Sequence, residues 1–272
     1  MDSKVILITG ASSGIGKSTS VLLLKKGHTV YSAARRTEKM EDLKREGAHI
    51  IKLDVTSEES ASAAIRQILD EQGHIDVLVN NAGFGQYGAI ENVSTDDAQK
   101  QFDVNVFGLA RLCRLVLPEM RKQKSGRIIN VGSMAGHFCE PHGGWYHSSK
   151  HAVAGLSGCL RQEVRKFGIK VIQIEPGEIR SEWSGIAMQN LCESSAGTVY
   201  SKGAEKQSRL YAFGEKHLAT GPEAVAKKIA AAATCRRPRL VYRTGFGCVG
   251  LSLASALLPR RWFDAIFIRL FT

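Results

Sequence analysis

The segment Val5-Ile6-Leu7-Ile8-Thr9-Gly10-Ala11-Ser12-Ser13-Gly14-Ile15-Gly16 runs from a short β-rich apolar stretch into a turn of small residues. A helical pattern follows to about Lys26. Strand, glycine turn and helix, in that order, form the setting a phosphate-binding loop requires. Small residues let the backbone approach a pyrophosphate, and the helix N-terminus offers free N–H groups at the positive end of its dipole. A plain tight turn between strand and helix would need the same glycines for their conformational freedom. The rest of the chain has to separate the two readings.

Outward from this turn, apolar runs and helical patterns alternate. Residues 28–36 read as a second strand and 37–48 as a polar helix. Residues 50–55 form a third strand, and Thr56 or Ser57 caps the helix after it. Residues 75–79 are nearly all apolar, as in a strand buried on both faces of a parallel sheet. One long helix over 96–124, a fifth strand over 127–131, a helix from Tyr146 to about Phe167 closed by Gly168, and a sixth strand over 169–174 follow. This pattern predicts an α/β fold of the Rossmann type, a doubly wound, mostly parallel sheet with helices on both faces. Ligands of such sheets bind at the carboxyl ends of the strands. The glycine turn, Arg35, Asp54, Asn81, Ser133 and Pro176 each come directly after a strand, so the candidate chemistry gathers on one edge.

The end of the second strand bears on the cofactor. Folds that bind NAD usually carry an acidic residue there for the ribose hydroxyls. Here the place falls on Ala34, followed by Arg35 and Arg36. Losing the carboxylate and gaining a guanidinium suits a 2′-phosphate, which accepts paired charged hydrogen bonds. NADP(H) is therefore expected over NAD, unless the two arginines are simply solvated residues after a strand. Asp54 at the end of the third strand either accepts from an adenine amino group or caps its own turn.

The chemistry points to Tyr146-His147-Ser148-Ser149-Lys150. A tyrosine and a lysine four residues apart share a helix face. An ammonium beside a phenol favours the phenolate and lowers the tyrosine's pKa, which makes it a proton donor or acceptor nearer neutral pH. Alone the pair is a commonplace of helices; its company gives it weight. Asn80-Asn81-Ala82-Gly83 ends the fourth strand, Asn105 stands inside a helix where Asn is locally unfavourable, and Ser133 follows the fifth strand. Asn105 is either functional or an exposed surface residue.

Together these residues resemble the short-chain dehydrogenase/reductase family, over about residues 4–185. The resemblance rests on T-G-A-S-S-G-I-G at 9–16, N-N-A-G at 80–83, Asn105, Ser133, Y-H-S-S-K at 146–150 and P-G at 176–177. It implies that Tyr146 is the general acid/base, that Lys150 lowers its pKa and holds the nicotinamide ribose, and that Ser133 orients the substrate oxygen. Asn105 would keep a water leading protons to Lys150. The resemblance places Gly10, Ser12, Ser13, Gly14, Ile15 and Gly16 along the pyrophosphate, Asp54 and Val55 at the adenine, and Asn81, Ala82 and Gly83 beside the adenosine ribose. Pro176, Gly177 and Ile179 would flank the nicotinamide. The family commonly has a threonine shortly after Pro-Gly, and here Ser181 supplies the nearest hydroxyl. Members commonly pair through the helix carrying Tyr and Lys, so a homodimer is expected.

At 272 residues the chain suits one catalytic domain, 1–272, with an apolar, basic extension over 245–272; the resemblance implies a substrate-binding lid over 182–220. Residues 182–220 show no clear β-α pattern. Their Trp183, Ile186, Met188, Leu191, Tyr200, Leu210, Tyr211 and Phe213 suit a lipophilic alcohol/carbonyl substrate, and equally a packed surface excursion. Six cysteines stand singly, without C-x-x-C spacing, so neither a zinc ribbon nor a redox motif is suggested, no metal is expected, and a reducing compartment fits. No apolar run reaches the roughly 18 residues that span a bilayer, and the opening run is too short for a signal peptide. A cytoplasmic protein is expected. Residues 221–272 hold nine Lys/Arg against Glu223 and Asp264, a net +7 of the chain's +11. Interleaved with Leu, Ile and Phe, these charges match no nucleic-acid motif. They suit either ordinary packing of the tail or peripheral contact with an anionic membrane surface. The rival to an enzyme is a non-enzymatic NADPH-binding sensor or membrane-surface scaffold.

Overall fold

The computed structural model describes residues 3–271. Met1, Asp2 and Thr272, at the ends of the opening run and of the tail, lie outside the described residues. The elements follow in the order β1 (Val5–Thr9), α1 (Gly14–Lys25), β2 (Thr29–Ala34), α2 (Glu41–Arg45), β3 (His49–Lys52), α3 (Glu58–Gln72), β4 (Val77–Asn80) and α4 (Thr95–Phe102). Next come α5 (Leu109–Lys122), β5 (Gly126–Val131), α6 (Gly144–Val164), β6 (Ile169–Pro176), α7 (Glu182–Ser195), α8 (Ser201–His217), α9 (Pro222–Thr234), β7 (Val241–Thr244), α10 (Cys248–Leu257) and α11 (Arg260–Phe271).

The strands form one sheet in the order β3-β2-β1-β4-β5-β6-β7, and every pairing is parallel. Parallel neighbours need crossovers, and the helices supply them on both faces. Residues of α3, α5 and α6 pack on one face with Leu7, Leu78 and Ile128; α1, α2 and α9 cover the other with Ile6, Ile8 and Ile172. All five residues of β1 are buried. Each fully buried Ile or Leu there contributes roughly 1.5–3 kcal/mol relative to exposure. The chain turns back on itself between β1 and β4, so the loops after these two strands diverge and leave a crevice at their carboxyl ends.

Three regions differ from the sequence expectation. Residues 37–48 form a 3-10 turn at Thr37–Met40 and then the short α2, because Gly47 at φ +96° ends the helix early. The long helix over 96–124 is interrupted by a π-helical turn at Asp103–Gly108. A wider turn there carries Asn105 inward, where its side chain finds partners. Residues 182–220 hold two helices, α7 and α8, with Ser181 capping the first by accepting from the Trp183 N–H at 3.4 Å. Elsewhere the elements lie within a few residues of expectation; of the two capping candidates Ser57 serves α3, accepting from the Ser60 N–H at 3.1 Å.

Candidate active site

The loop after β1 holds its shape through Thr9 and Asn81. The Thr9 hydroxyl accepts from the N–H groups of Asn81 and Ala82, each at 3.0 Å. The Asn81 amide donates to the carbonyls of Thr9 at 3.0 Å and Gly10 at 3.2 Å. Asn81 thus ties the β4 loop to the glycine loop as well as lining the crevice. Gly10 sits at φ +66°, and a Cβ on Gly16 would overlap the Gly10 carbonyl and come within 2.6 Å of the Asn81 amide nitrogen. These close approaches leave only glycine at both places. Ser13 begins α1 without a side-chain cap, and no acidic residue occupies the first turn. The helix therefore presents its first N–H groups and positive end to the crevice, as a bound pyrophosphate requires.

The crevice opens into a cavity of about 780 Å³. Of the residues expected at the site, Gly10, Ser12, Ser13, Gly14, Ile15, Arg35, Arg36, Asp54, Val55, Asn81, Ala82, Gly83, Ser133, Tyr146, Lys150, Pro176, Gly177, Ile179 and Ser181 all line it. Gly16 and Asn105 stand behind its wall. Asn105 is buried, accepts from the Phe84 N–H at 3.1 Å, and donates to the Phe84 carbonyl at 2.9 Å and the Ser149 hydroxyl at 3.1 Å. Its side chain fastens the loop after β4 to α6. Asp54 spends Oδ1 on its own turn, accepting from the Thr56 N–H at 2.9 Å and hydroxyl at 2.7 Å. Burial works against its charge, but the Thr56 bonds, with Arg35 and Arg111 nearby, hold its carboxyl below the usual range. Arg35 is exposed at the rim. Arg36 lies 3.8 Å from Glu182, across the mouth of the cavity.

At the inner end, Tyr146 is buried on α6 with the Lys150 ammonium 5.8 Å from its ring centre. Lys150 Nζ donates to the Val131 carbonyl at 3.2 Å. The Tyr146 phenol lies above, not below, the ordinary tyrosine range. Burial raises it, the Ser133 hydroxyl bonding to it pulls it back part way, and Glu140 and Glu178 raise it further. The expected lowering by Lys150 is overridden because a buried phenolate loses its hydration, with the charges of Glu140 and Glu178 acting in the same direction. Burial also pulls Lys150 down, to about 8.

Sequence reasoning passed over Tyr87, Glu140 and Glu178 in this cavity, and named Trp183 and Tyr211 only as part of the 182–220 segment. Trp183 lies across Tyr146 with ring centres 4.8 Å apart, and Tyr87 lies 5.7 Å away. A Cβ on Gly85 would come within 2.5 Å of the Trp183 ring, so that glycine admits the indole. Glu140 accepts from the Tyr87 hydroxyl at 3.0 Å and from the Tyr211 hydroxyl. The proximity of Glu178 to Pro176-Gly177 is the one signal that marks it in the sequence; Glu140 and Tyr87 lie in loops without periodicity.

The arrangement joins a dinucleotide cradle to a hydroxyl, a phenol and an ammonium at one end of a partly aromatic cavity. The short chain dehydrogenase family profile matches residues 4–190. Over 181 residues, 66% of either chain, the sequence is 42% identical to the 3-ketodihydrosphingosine reductase of Bacteroides thetaiotaomicron. It is 30% identical over 275 residues, 97% of this chain and 95% of the relative, to the NADPH-dependent 3-dehydrocapnine reductase of Ornithobacterium rhinotracheale. A solved short-chain dehydrogenase from Streptomyces avermitilis superposes with a TM-score of 0.82 at 32% identity, covering 94% of this chain and 92% of that one. On its profile, its relatives and its fold, the chain belongs to the short-chain dehydrogenase/reductase family of oxidoreductases.

Proposed function

We propose that this protein is an NADP(H)-dependent oxidoreductase that interconverts a lipophilic ketone or aldehyde and its alcohol. The observation that carries this reading is the meeting of Ser133, Tyr146 and Lys150 in the same cavity as the glycine loop and Arg35. The bound dinucleotide supplies the hydride. The residues of the chain do the rest. The first turn of α1 and Gly10 would hold the pyrophosphate, and Arg35 would pair with a 2′-phosphate at the rim. Ser133 donates to the substrate oxygen and sets it beside Tyr146. Tyr146 gives its proton to that oxygen during reduction and takes it back during oxidation. Lys150, cationic at neutral pH, stabilises the phenolate that remains. The high pKa of the phenol suits the reducing direction, in which Tyr146 starts protonated. The relatives named as a 3-ketodihydrosphingosine reductase and an NADPH-dependent 3-dehydrocapnine reductase support both that direction and the cofactor.

The same reading makes α7 and α8 a lid over the substrate and the whole chain one catalytic domain. It places the protein in the cytoplasm as a homodimer joined through α6. No described helix is long and apolar enough to cross a membrane. The C-terminal hairpin nevertheless carries an exposed apolar stripe, Val249, Leu253 and Leu257 on α10 and Trp262, Ile266 and Leu270 on α11, with Arg260, Arg261 and Arg269 beside it. A basic, apolar face of this kind suits the surface of an anionic bilayer.

The deciding experiment follows NADPH oxidation at 340 nm with ketones and aldehydes graded by apolar bulk, for the natural protein and Tyr146→Phe. Turnover is expected to rise with apolar bulk. The variant should lose it by about 10³-fold, the range of general acid catalysis, and still bind NADPH. Undiminished turnover in the variant would remove Tyr146 from the chemistry. Tight NADPH binding without turnover on any carbonyl would favour the sensor or scaffold reading.

A further inference from the structure

We propose that the substrate carries a protonated amine close to its carbonyl, received by Glu178 with Glu140 behind it, between the rings of Tyr87, Trp183 and Tyr211. The proposal deepens the carbonyl reading above and rests on it. Glu140 and Glu178 both line the cavity that holds Tyr146. The Glu140 side chain is only 5% exposed. Among the described residues neither carboxylate pairs with a lysine or arginine; the imidazole Nε2 of His147 lies 3.6 Å from Glu140 Oε1.

His147 gives a second, independent sign of a missing donor. It is 1% exposed and lines the same cavity. Its Nδ1 lies 2.6 Å from the Phe138 carbonyl, which requires a proton on that nitrogen. In the neutral ring Nε2 is then an acceptor, and it has no hydrogen-bond partner. It faces Glu140 Oε1, another acceptor. The Glu178 carboxylate, which has no side-chain hydrogen bond among the described residues, and His147 Nε2 are thus acceptors in this cavity without a donor. An ammonium brings three donors and the opposite charge.

The aromatic residues fit the same ligand. Tyr87 stands edge-on to Trp183 at 6.0 Å and to Tyr211 at 6.0 Å between ring centres. Such rings attract a cation through their negative faces. The reaction supplies a further reason. Two carboxylates near Tyr146 oppose the phenolate that forms when it gives up its proton, and a burial-raised Glu178, pushed up to about 7, shows how poorly that charge is compensated. A substrate ammonium between them cancels the opposition at the moment of proton transfer, so the amine assists turnover as well as binding.

The test compares three straight-chain 3-ketones of equal length with NADPH: one bearing a 2-amino group, one with that amine acetylated, and one without it. The amino ketone is expected to have a kcat/KM about tenfold or more above the other two, the worth of one desolvated charge contact. Glu178→Gln should bring the ratio close to one. Equal kcat/KM across the three ketones in the natural protein overturns the proposal and leaves carbonyl reduction standing. A second arm is independent of turnover. Calorimetric titration of the NADPH-loaded protein with octylamine and with octanol should show the amine binding about tenfold tighter, with the preference lost in Glu178→Gln. Equal affinities overturn the proposal. Should no ketone be reduced, the carbonyl reading fails, and the titration still decides whether the cavity recognises charge.

Discussion

Lys150 shows how burial sets chemistry at a single residue. Its ammonium is held at about 8 because the surrounding protein replaces water poorly. Below that pH it is charged and, in the proposed reaction, would support the phenolate of Tyr146; as pH rises through it the charge is lost. Ketone reduction should therefore fall along a one-proton limb near pH 8, and Lys150→Arg, whose guanidinium stays charged, should move the limb upward by more than about one unit. A pH profile of kcat checks this. The sign for stability is opposite. Between the folded value of about 8 and the ordinary 10.5, the unfolded chain binds more protons than the folded one, so stability rises with pH in that window. Below it the buried charge is a standing cost, and Lys150→Met should stabilise the fold by about 2 kcal/mol at pH 7 while abolishing turnover. Thermal denaturation beside an activity assay measures both. At the rim, Arg35→Asp replaces an attractive charge with a repulsive one. The ratio of kcat/KM for NADPH over NADH should fall about 100-fold, equivalent to about 3 kcal/mol of charged hydrogen bonding. Steady-state kinetics with the two cofactors would show it, and an unchanged ratio would take Arg35 out of the 2′-phosphate site.

Among the elements, α11 bears on both readings of the tail. Its inner face carries Phe263, Phe267 and Phe271, buried with Phe138 and packed by Tyr211 of α8. Its outer face carries Trp262 and Ile266, 58% and 49% exposed. Four-residue spacing puts each set on its own side of the helix. Deleting the whole tail would therefore open the packing behind the cavity. Outer-face changes separate the roles: Trp262→Glu with Ile266→Glu should abolish co-sedimentation with anionic vesicles and alter stability by no more than about 0.5 kcal/mol. Phe267→Ala on the inner face should instead cost about 3–5 kcal/mol. The π turn at Asp103–Gly108 is the other element with a job beyond packing. It brings Asn105 into reach of Phe84 and Ser149, and so sets the loop after β4 against the helix that carries Tyr146 and Lys150.

For the molecule as a whole, the outer side of α6 is open. Leu156 is 42% exposed, and nothing lies within 4 Å of a Cβ placed on Gly155 or Gly158. If a second copy covers this side, Leu156→Glu should shift the protein from dimer to monomer in sedimentation, with NADPH binding by each protomer kept. The parallel sheet, the glycine loop and the Ser-Tyr-Lys set were legible before any coordinate. The reason is physical. Buried parallel strands must be continuous apolar runs, a backbone approached by phosphate must be glycine, and i,i+4 spacing places two side chains together without help from the rest of the chain. The two helices over 182–220 were not legible, because α7 buries Ser184, Ala187, Met188, Leu191 and Ser195 at helical spacing but three of these are small or polar, and α8 buries only Ala204 and Gln207, so neither helix shows a strong apolar stripe. Neither was the break in the long helix, since a π turn has no sequence period of its own. Folding alone joined Glu140, His147 and Glu178 to Tyr87, Trp183 and Tyr211. These residues come from four separate stretches of chain, and the charges of Glu140 and Glu178 act on Tyr146 only because the sheet ends and the helices over them bring them within one cavity. Local spacing specified what Tyr146 is paired with on its own helix; its high pKa, and the carboxylates beside it, come from burial and from neighbours distant in sequence.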